Sequence, residues 1–132
     1  MEGMEGLRNF DRTSQMKISM GNHARIQAAK HLRQKVREFY LSILDCKSLP
    51  APSPAMELFE FADGFIFGVY FVDEGEYLTD PEQLKGTWLE LKTDQPEKLK
   101  QRVLAFGVTP IDYLDKSHFY FQAPGGQAFR IA

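Results

Sequence analysis

The chain has 132 residues, a formal net charge of −2, 43% hydrophobic and 13% aromatic residues. That fits one folded domain and excludes a disordered or fibrous class. The interleaved charges give no electrostatic case for nucleic acid or an anionic membrane, and the longest apolar run, Phe65 to Val72, is far too short to span a bilayer. The N-terminus lacks the apolar core of a secretory signal, and the single cysteine, Cys46, cannot form an internal disulfide. A soluble cytoplasmic domain is expected.

Residues 1–20 are rich in Gly, Met, Ser and charge without sustained periodicity, which predicts a flexible N-terminal segment. The folded domain is expected over 21–132. From His23 to Ala29 residues alternate, with His23, Arg25 and Gln27 on one face and Ala24, Ile26 and Ala28 on the other. Lys30 to Leu44 takes helical spacing, its stripe formed by Leu32, Val36, Phe39, Tyr40 and Ile43. A stiff Pro50-Ala51-Pro52-Ser53-Pro54 loop follows, with a short strand expected before it near Lys47 to Leu49. Met56 to Phe61 and Phe65 to Val72 read as two strands joined by Ala62-Asp63-Gly64, where Asp-Gly is a strong hairpin signal.

Asp73 to Lys85 is a polar connection in which Thr79-Asp80-Pro81-Glu82 predicts a short capped helix. The pattern then restarts. Thr87 to Lys92 alternates, placing Leu89 and Leu91 opposite Trp88, Glu90 and Lys92. Asp94 is read as the cap of a helix that starts near Pro96, carries Leu99, Val103 and Phe106 inward, and ends at Gly107. Thr109 to Leu114, His118 to Gln122 and Gln127 to Ile131 predict three more strands, the last two joined around Gly125-Gly126.

The chain therefore reads as α+β, with two strand-helix-three-strand units over 21–73 and 86–132 whose outer faces form a shared cleft. The residues assigned to those faces are His23, Arg25 and Gln27 in the first unit and Trp88, Glu90 and Arg130 in the second. A polar and aromatic surface of that kind suits a ligand pocket or a subunit interface.

This order resembles the vicinal oxygen chelate superfamily, which includes glyoxalase I, bleomycin-resistance proteins, fosfomycin-resistance enzymes and extradiol dioxygenases. Arg37-Glu38-Phe39-Tyr40-Leu41-Ser42-Ile43-Leu44 resembles its Phe-Tyr-x-x-x-Leu helix. Trp88 to Asp94 with Leu99 and Phe106-Gly107-Val108 resembles its second strand-helix unit, and Phe121-Gln122-Ala123-Pro124-Gly125-Gly126 its closing turn. The resemblance runs from about His23 to Ile131. It implies the fold, and often a homodimer. It also implies a divalent metal held by residues on four strands, which activates two substrate oxygens. Here those positions fall at or near His23, in Phe65 to Val72 without a His or Glu, at Trp88 and at Arg130. One imidazole does not make a metal site, so the resemblance is read without the metal and no cofactor is expected.

Each site residue has two readings at this point. His23 is a vestigial ligand or a neutral hydrogen-bonding group, and Trp88 a stacking wall or a plug. Glu90 and Arg130 are a structural ion pair, or a general base beside an anion-binding guanidinium. His31 and His118 are read as exposed, and Tyr70 and Tyr120 as packing residues of their strands. Three functions stay open: a metal-independent protein binding a small anionic or aromatic molecule, a metal-dependent lyase or isomerase of glyoxalase type, and an oligomerisation module.

Overall fold

The computed structural model describes residues 15–132; residues 1–14 of the expected flexible segment lie outside the described residues. Residues 15–20 form no helix or strand and are exposed throughout. Eight strands follow among the described residues, in two four-stranded sheets.

The first sheet joins β1 (His23–Ala29), β2 (Lys47–Leu49), β3 (Met56–Glu60) and β4 (Ile66–Val72) in the order β1-β4-β3-β2. The second joins β5 (Leu89–Leu91), β6 (Thr109–Pro110), β7 (Phe119–Gln122) and β8 (Ala128–Ile131) in the matching order β5-β8-β7-β6. In each, the outer strand runs parallel to the last one and the other pairings are antiparallel. A strand that reaches a parallel partner needs a long crossover. The crossover helices are α1 (Arg33–Glu38) and α3 (Pro96–Phe106); α2 (Asp80–Gln83) lies in the connection between the sheets.

The helix expected over Lys30 to Leu44 is continuous but not uniform. A 3-10 turn at Lys30–Leu32 precedes α1 and a π turn at Phe39–Ile43 follows it. The widened turn holds two adjacent rings, Phe39 and Tyr40, both fully buried. Tyr40 stacks on Phe59 at 4.9 Å and Phe67 at 5.2 Å, while Phe39 meets Phe106 edge-on at 5.4 Å and Phe121 at 6.1 Å. One helix thus fills space against both sheets. The contact between Phe67 and Phe129, at 6.2 Å, carries the same core across from β4 to β8. Each ring so buried contributes about 1.5–3 kcal/mol.

Two expected elements differ. Asp94 does not cap α3: the N-cap position is Gln95, which makes no side-chain cap, and its N–H donates to Thr93 Oγ1 at 3.1 Å. Pro96 at the first turn starts the helix without a cap, because its ring presets φ. The strand expected over Thr109 to Leu114 shrinks to Thr109–Pro110. Ile111 N–H still donates to Tyr120 O at 2.8 Å, but from Asp112 on the loop bonds to itself, Lys116 to Asp112 and the Ser117 N–H and hydroxyl to Asp115 Oδ1. By contrast α2 is capped as expected, by Thr79 rather than Asp80, in a capping box where Thr79 and Glu82 each accept from the other's N–H.

The Ala123–Gly126 turn closes β7 onto β8 and needs both glycines. Gly125 and Gly126 take φ of 90° and 108°. A Cβ at Gly125 would also press on Val36 Cγ2 at 3.2 Å, so the turn sits directly on α1.

Candidate functional site

Register decides which side chains share a face. Glu90 lies beside Arg130, and Arg130 beside Tyr120, on the face of the second sheet turned away from α3. Leu89, Leu91, Phe129 and Ile131 take the other face and join the core. Arg130 Nε donates to Glu90 Oε2 at 2.6 Å, and Nη2 approaches the same oxygen at 2.5 Å. The alternation read from the sequence therefore brings these two charges together.

The same arginine belongs to a larger network than the sequence suggested. Its Nη1 donates to Tyr120 Oη at 3.4 Å and lies 3.5 Å from Asp115 Oδ2. Tyr120 donates to Asp115 Oδ2 at 2.9 Å, and His118 Nδ1 lies 2.7 Å from that oxygen. Hydrogen bonds from the Ser117 hydroxyl and N–H, then from His118 and Tyr120, hold the Asp115 carboxyl well below the usual carboxylate range. An ionised Asp115 can only accept, so His118 Nδ1 carries the proton and Nε2 is the basic nitrogen of the neutral ring. Arg130 is in turn held more firmly protonated by Tyr120 and Glu90. His118, expected to be exposed, is half-buried in this network, and Asp115 was not singled out at all. The available signal was the Asp115-x-Ser117 spacing, an Asx turn just before a strand.

Three rings border the network. Trp88 meets Tyr113 edge-on at 4.8 Å and lies 5.7 Å from Tyr120, and Tyr113 lies 5.0 Å from Tyr120. Trp88 is anchored through its indole N–H to Leu84 O at 2.9 Å, so the connection between the sheets fixes its position.

His23, Arg25 and Gln27 project from β1, on the open face of the first sheet with Gly68 and Tyr70. All three are exposed, and the Arg25 guanidinium lies 5.9 Å from the Tyr70 ring centre. No hydrogen bond or ion pair among the described residues links these three side chains to Trp88, Glu90 or Arg130. A cleft between the units lies on the other side, between the end of the first helix, the 61–65 hairpin, β5 and α3. It has a volume of about 560 Å³, and of the six expected cleft residues only Glu90 borders it. Its walls are Ile43, Leu44, Phe61, Phe65, Leu89 and Leu99, with Lys92 and Lys98 also along it.

No group of three or more His, Cys, Asp or Glu side chains among the described residues could hold a metal ion. At Arg130, where the resemblance puts a ligand, a cation is already paired with Glu90. The residues present do not fit the metal that the resemblance implies. Cys46 is buried, and burial, then the charge of Asp45, pushes its thiol up to about 12, which leaves it protonated and unreactive.

No protein-family model matches the chain, and no curated protein matches it in sequence. Solved structures do match in fold. One, from Bacillus cereus and described as a possible glyoxalase, is 22% identical with a TM-score of 0.62, over 86% of this chain and 98% of that one. The fosfomycin resistance protein FosX of Listeria monocytogenes, solved with Mn(II) and 1S,2S-dihydroxypropylphosphonic acid, is 15% identical with a TM-score of 0.63, over 87% and 90%. An integron cassette protein from V. cholerae is 18% identical with a TM-score of 0.61, over 89% and 96%. The fold is that of the glyoxalase and fosfomycin-resistance proteins, the vicinal oxygen chelate fold.

Proposed function

We propose that this chain is a metal-independent, cytoplasmic small-molecule-binding protein of glyoxalase-like fold, a homodimer that takes an anionic or aromatic ligand on the open face of its second sheet. The observation that carries this reading is Arg130, half-buried between Glu90, Tyr120 and Asp115, next to the rings of Trp88 and Tyr113. A planar guanidinium grips a carboxylate or phosphonate through two parallel N–H donors, and an aromatic group gains by stacking beside it. FosX, which shares the fold, holds a phosphonic acid in its structure, and that agrees with an anionic ligand. His23, Arg25 and Gln27 would complete the cleft if the open faces of two copies come together.

One observation favours a second reading, an enzyme. His118 is held by an ionised Asp115, the arrangement that sets a histidine up to take a proton at Nε2. Glu90, the base suggested by the sequence, is instead occupied by Arg130.

The test is a titration with phenylphosphonate, followed by NMR shifts of the Trp88 indole and Arg130 guanidinium. Binding by the metal-free protein, lost in Arg130→Met with the fold intact, supports the first reading. Elemental analysis of protein purified without chelator is expected to find less than about one-tenth equivalent of transition metal, since the described residues offer no multi-ligand site to retain it. A full equivalent would overturn the metal-independent assignment.

A further inference from the structure

The cleft beside the 61–65 hairpin takes no part in the Arg130 network, yet it is a built cavity. Its apolar wall consists of Ile43, Leu44, Phe61, Phe65, Leu89 and Leu99, each packed on the core from one side and half-buried. The hairpin is braced: the Phe61 N–H donates to Phe65 O at 2.8 Å, and the two rings meet edge-on at 6.3 Å. Arg102 ties α3 to the end of the first helix, donating to Ile43 O at 3.3 Å and to Asp45 Oδ2 at 2.8 Å. The space of about 560 Å³ is thus preformed, and it falls in the range of cavities that enclose one small molecule.

Six charged side chains border this space, and they are not equivalent. Asp45 is paired with Arg102, and Glu90 with Arg130 of the opposite face. Asp63 accepts from the Phe65 N–H at 3.1 Å within the hairpin. Lys92 and Lys98 are left without an ion pair among the described residues. Two ammonium groups therefore stand against one carboxylate outside the ion pairs. Lys98 also lies in the first turn of α3, which starts without a side-chain cap, so the positive end of the helix dipole adds to the excess. Glu97 of the same turn is bonded to Gln101 and does not border the cleft.

We infer that this cleft is a second ligand site, one that takes a straight-chain fatty carboxylate, with the alkyl chain along the apolar wall and the carboxylate at Lys92 and Lys98. An alkyl chain brings no backbone N–H or C=O that such a wall would leave unpaired, which a polypeptide does. The chain's own segment ahead of β1 exposes Met16, Ile18 and Met20, but residues 15–20 hold Lys17 and no acidic side chain. That segment would bring a third cation to the two already there. The site lies across the second sheet from Arg130, so it stands or falls independently of the anion proposed there.

Calorimetry of the full chain with octanoate, decanoate and dodecanoate, each below its micelle concentration, is the test. One equivalent should bind per chain, about three- to fourfold more tightly for each added methylene, and should shift the methyl NMR signals of Leu89 and Leu99. Lys92→Gln with Lys98→Gln, both at exposed positions, should weaken decanoate binding about three- to tenfold with the circular dichroism spectrum unchanged. Arg130→Met should remove phenylphosphonate binding and leave decanoate binding intact. Failure of the wild-type chain to bind decanoate, an affinity indifferent to chain length, or an unchanged affinity in the double lysine variant would overturn the inference. A protein with Met16→Ser, Ile18→Ser and Met20→Ser that binds decanoate markedly more tightly would make the chain's own segment the occupant and overturn it too. So would an affinity that falls as protein concentration rises, which would make a second copy the occupant. Loss of decanoate binding in Arg130→Met would put the fatty carboxylate at the other site and overturn this inference alone.

Discussion

Glu90 and Arg130 sit directly opposite one another on parallel strands β5 and β8, with the carboxylate and guanidinium 2.5 Å apart. Both side chains keep more than a third of their surface, so solvent screens the pair and it contributes little to stability. On the proposed reading the pair is a gate rather than a brace, because an anion bound at Arg130 would displace Glu90 from the guanidinium. Glu90→Gln should therefore tighten phenylphosphonate binding by roughly two- to fivefold, the equivalent of the lost competition. An unchanged affinity measured by calorimetry would mean that the ligand does not engage Arg130.

The other charged cluster is structural. Glu57 points from β3 toward the helices, is only 8% exposed, and is held by Arg33 and Arg37 of α1. The arginines reach solvent and the carboxylate does not. Removing both arginines, as Arg33→Ala with Arg37→Ala, should cost about 3–5 kcal/mol because an unpaired charge is left buried. Glu57→Gln should cost only about 1–2 kcal/mol, since the freed guanidinium groups stay hydrated. Urea denaturation of the two proteins checks the order.

Tyr40 has the opposite problem. Its ring is stacked between Phe59 and Phe67, yet its hydroxyl has no hydrogen-bond partner among the described residues, and burial raises its pKa well above the ordinary tyrosine value. Tyr40→Phe keeps the ring and removes the orphaned group. The variant should be more stable by about 1 kcal/mol, the usual cost of an unsatisfied buried hydroxyl. A loss of stability on thermal unfolding would reveal a partner for that hydroxyl.

Asp115 sets an acid-side limit. Its pKa is depressed in the folded chain, first by Ser117 and then by His118 and Tyr120. The stability this contributes is present above the unfolded carboxyl value of about 3.9 and is lost as pH falls through the lower folded value. The destabilisation caused by Asp115→Asn should accordingly be constant from neutral pH down to about pH 5 and shrink in stronger acid. Carboxyl NMR should find Asp115 still ionised at about pH 3, where ordinary aspartates are largely protonated.

Periodicity in the sequence carried the element order and the facing of Glu90 and Arg130. These are local properties, because a period of two or of 3.6 assigns each side chain to a face without knowledge of its neighbours. The tertiary structure alone decided the rest. Asp115 and His118 enter the Arg130 network because a loop that should have been strand closes on its own side chains, and such bonds have no period to detect. Alternation places His23, Arg25 and Gln27 on one open face and Trp88, Glu90 and Arg130 on another, but it cannot say what lies across from either. That depends on how the sheets pack, and here the rings of Phe39, Tyr40, Phe67 and Phe129 join them through their inner faces.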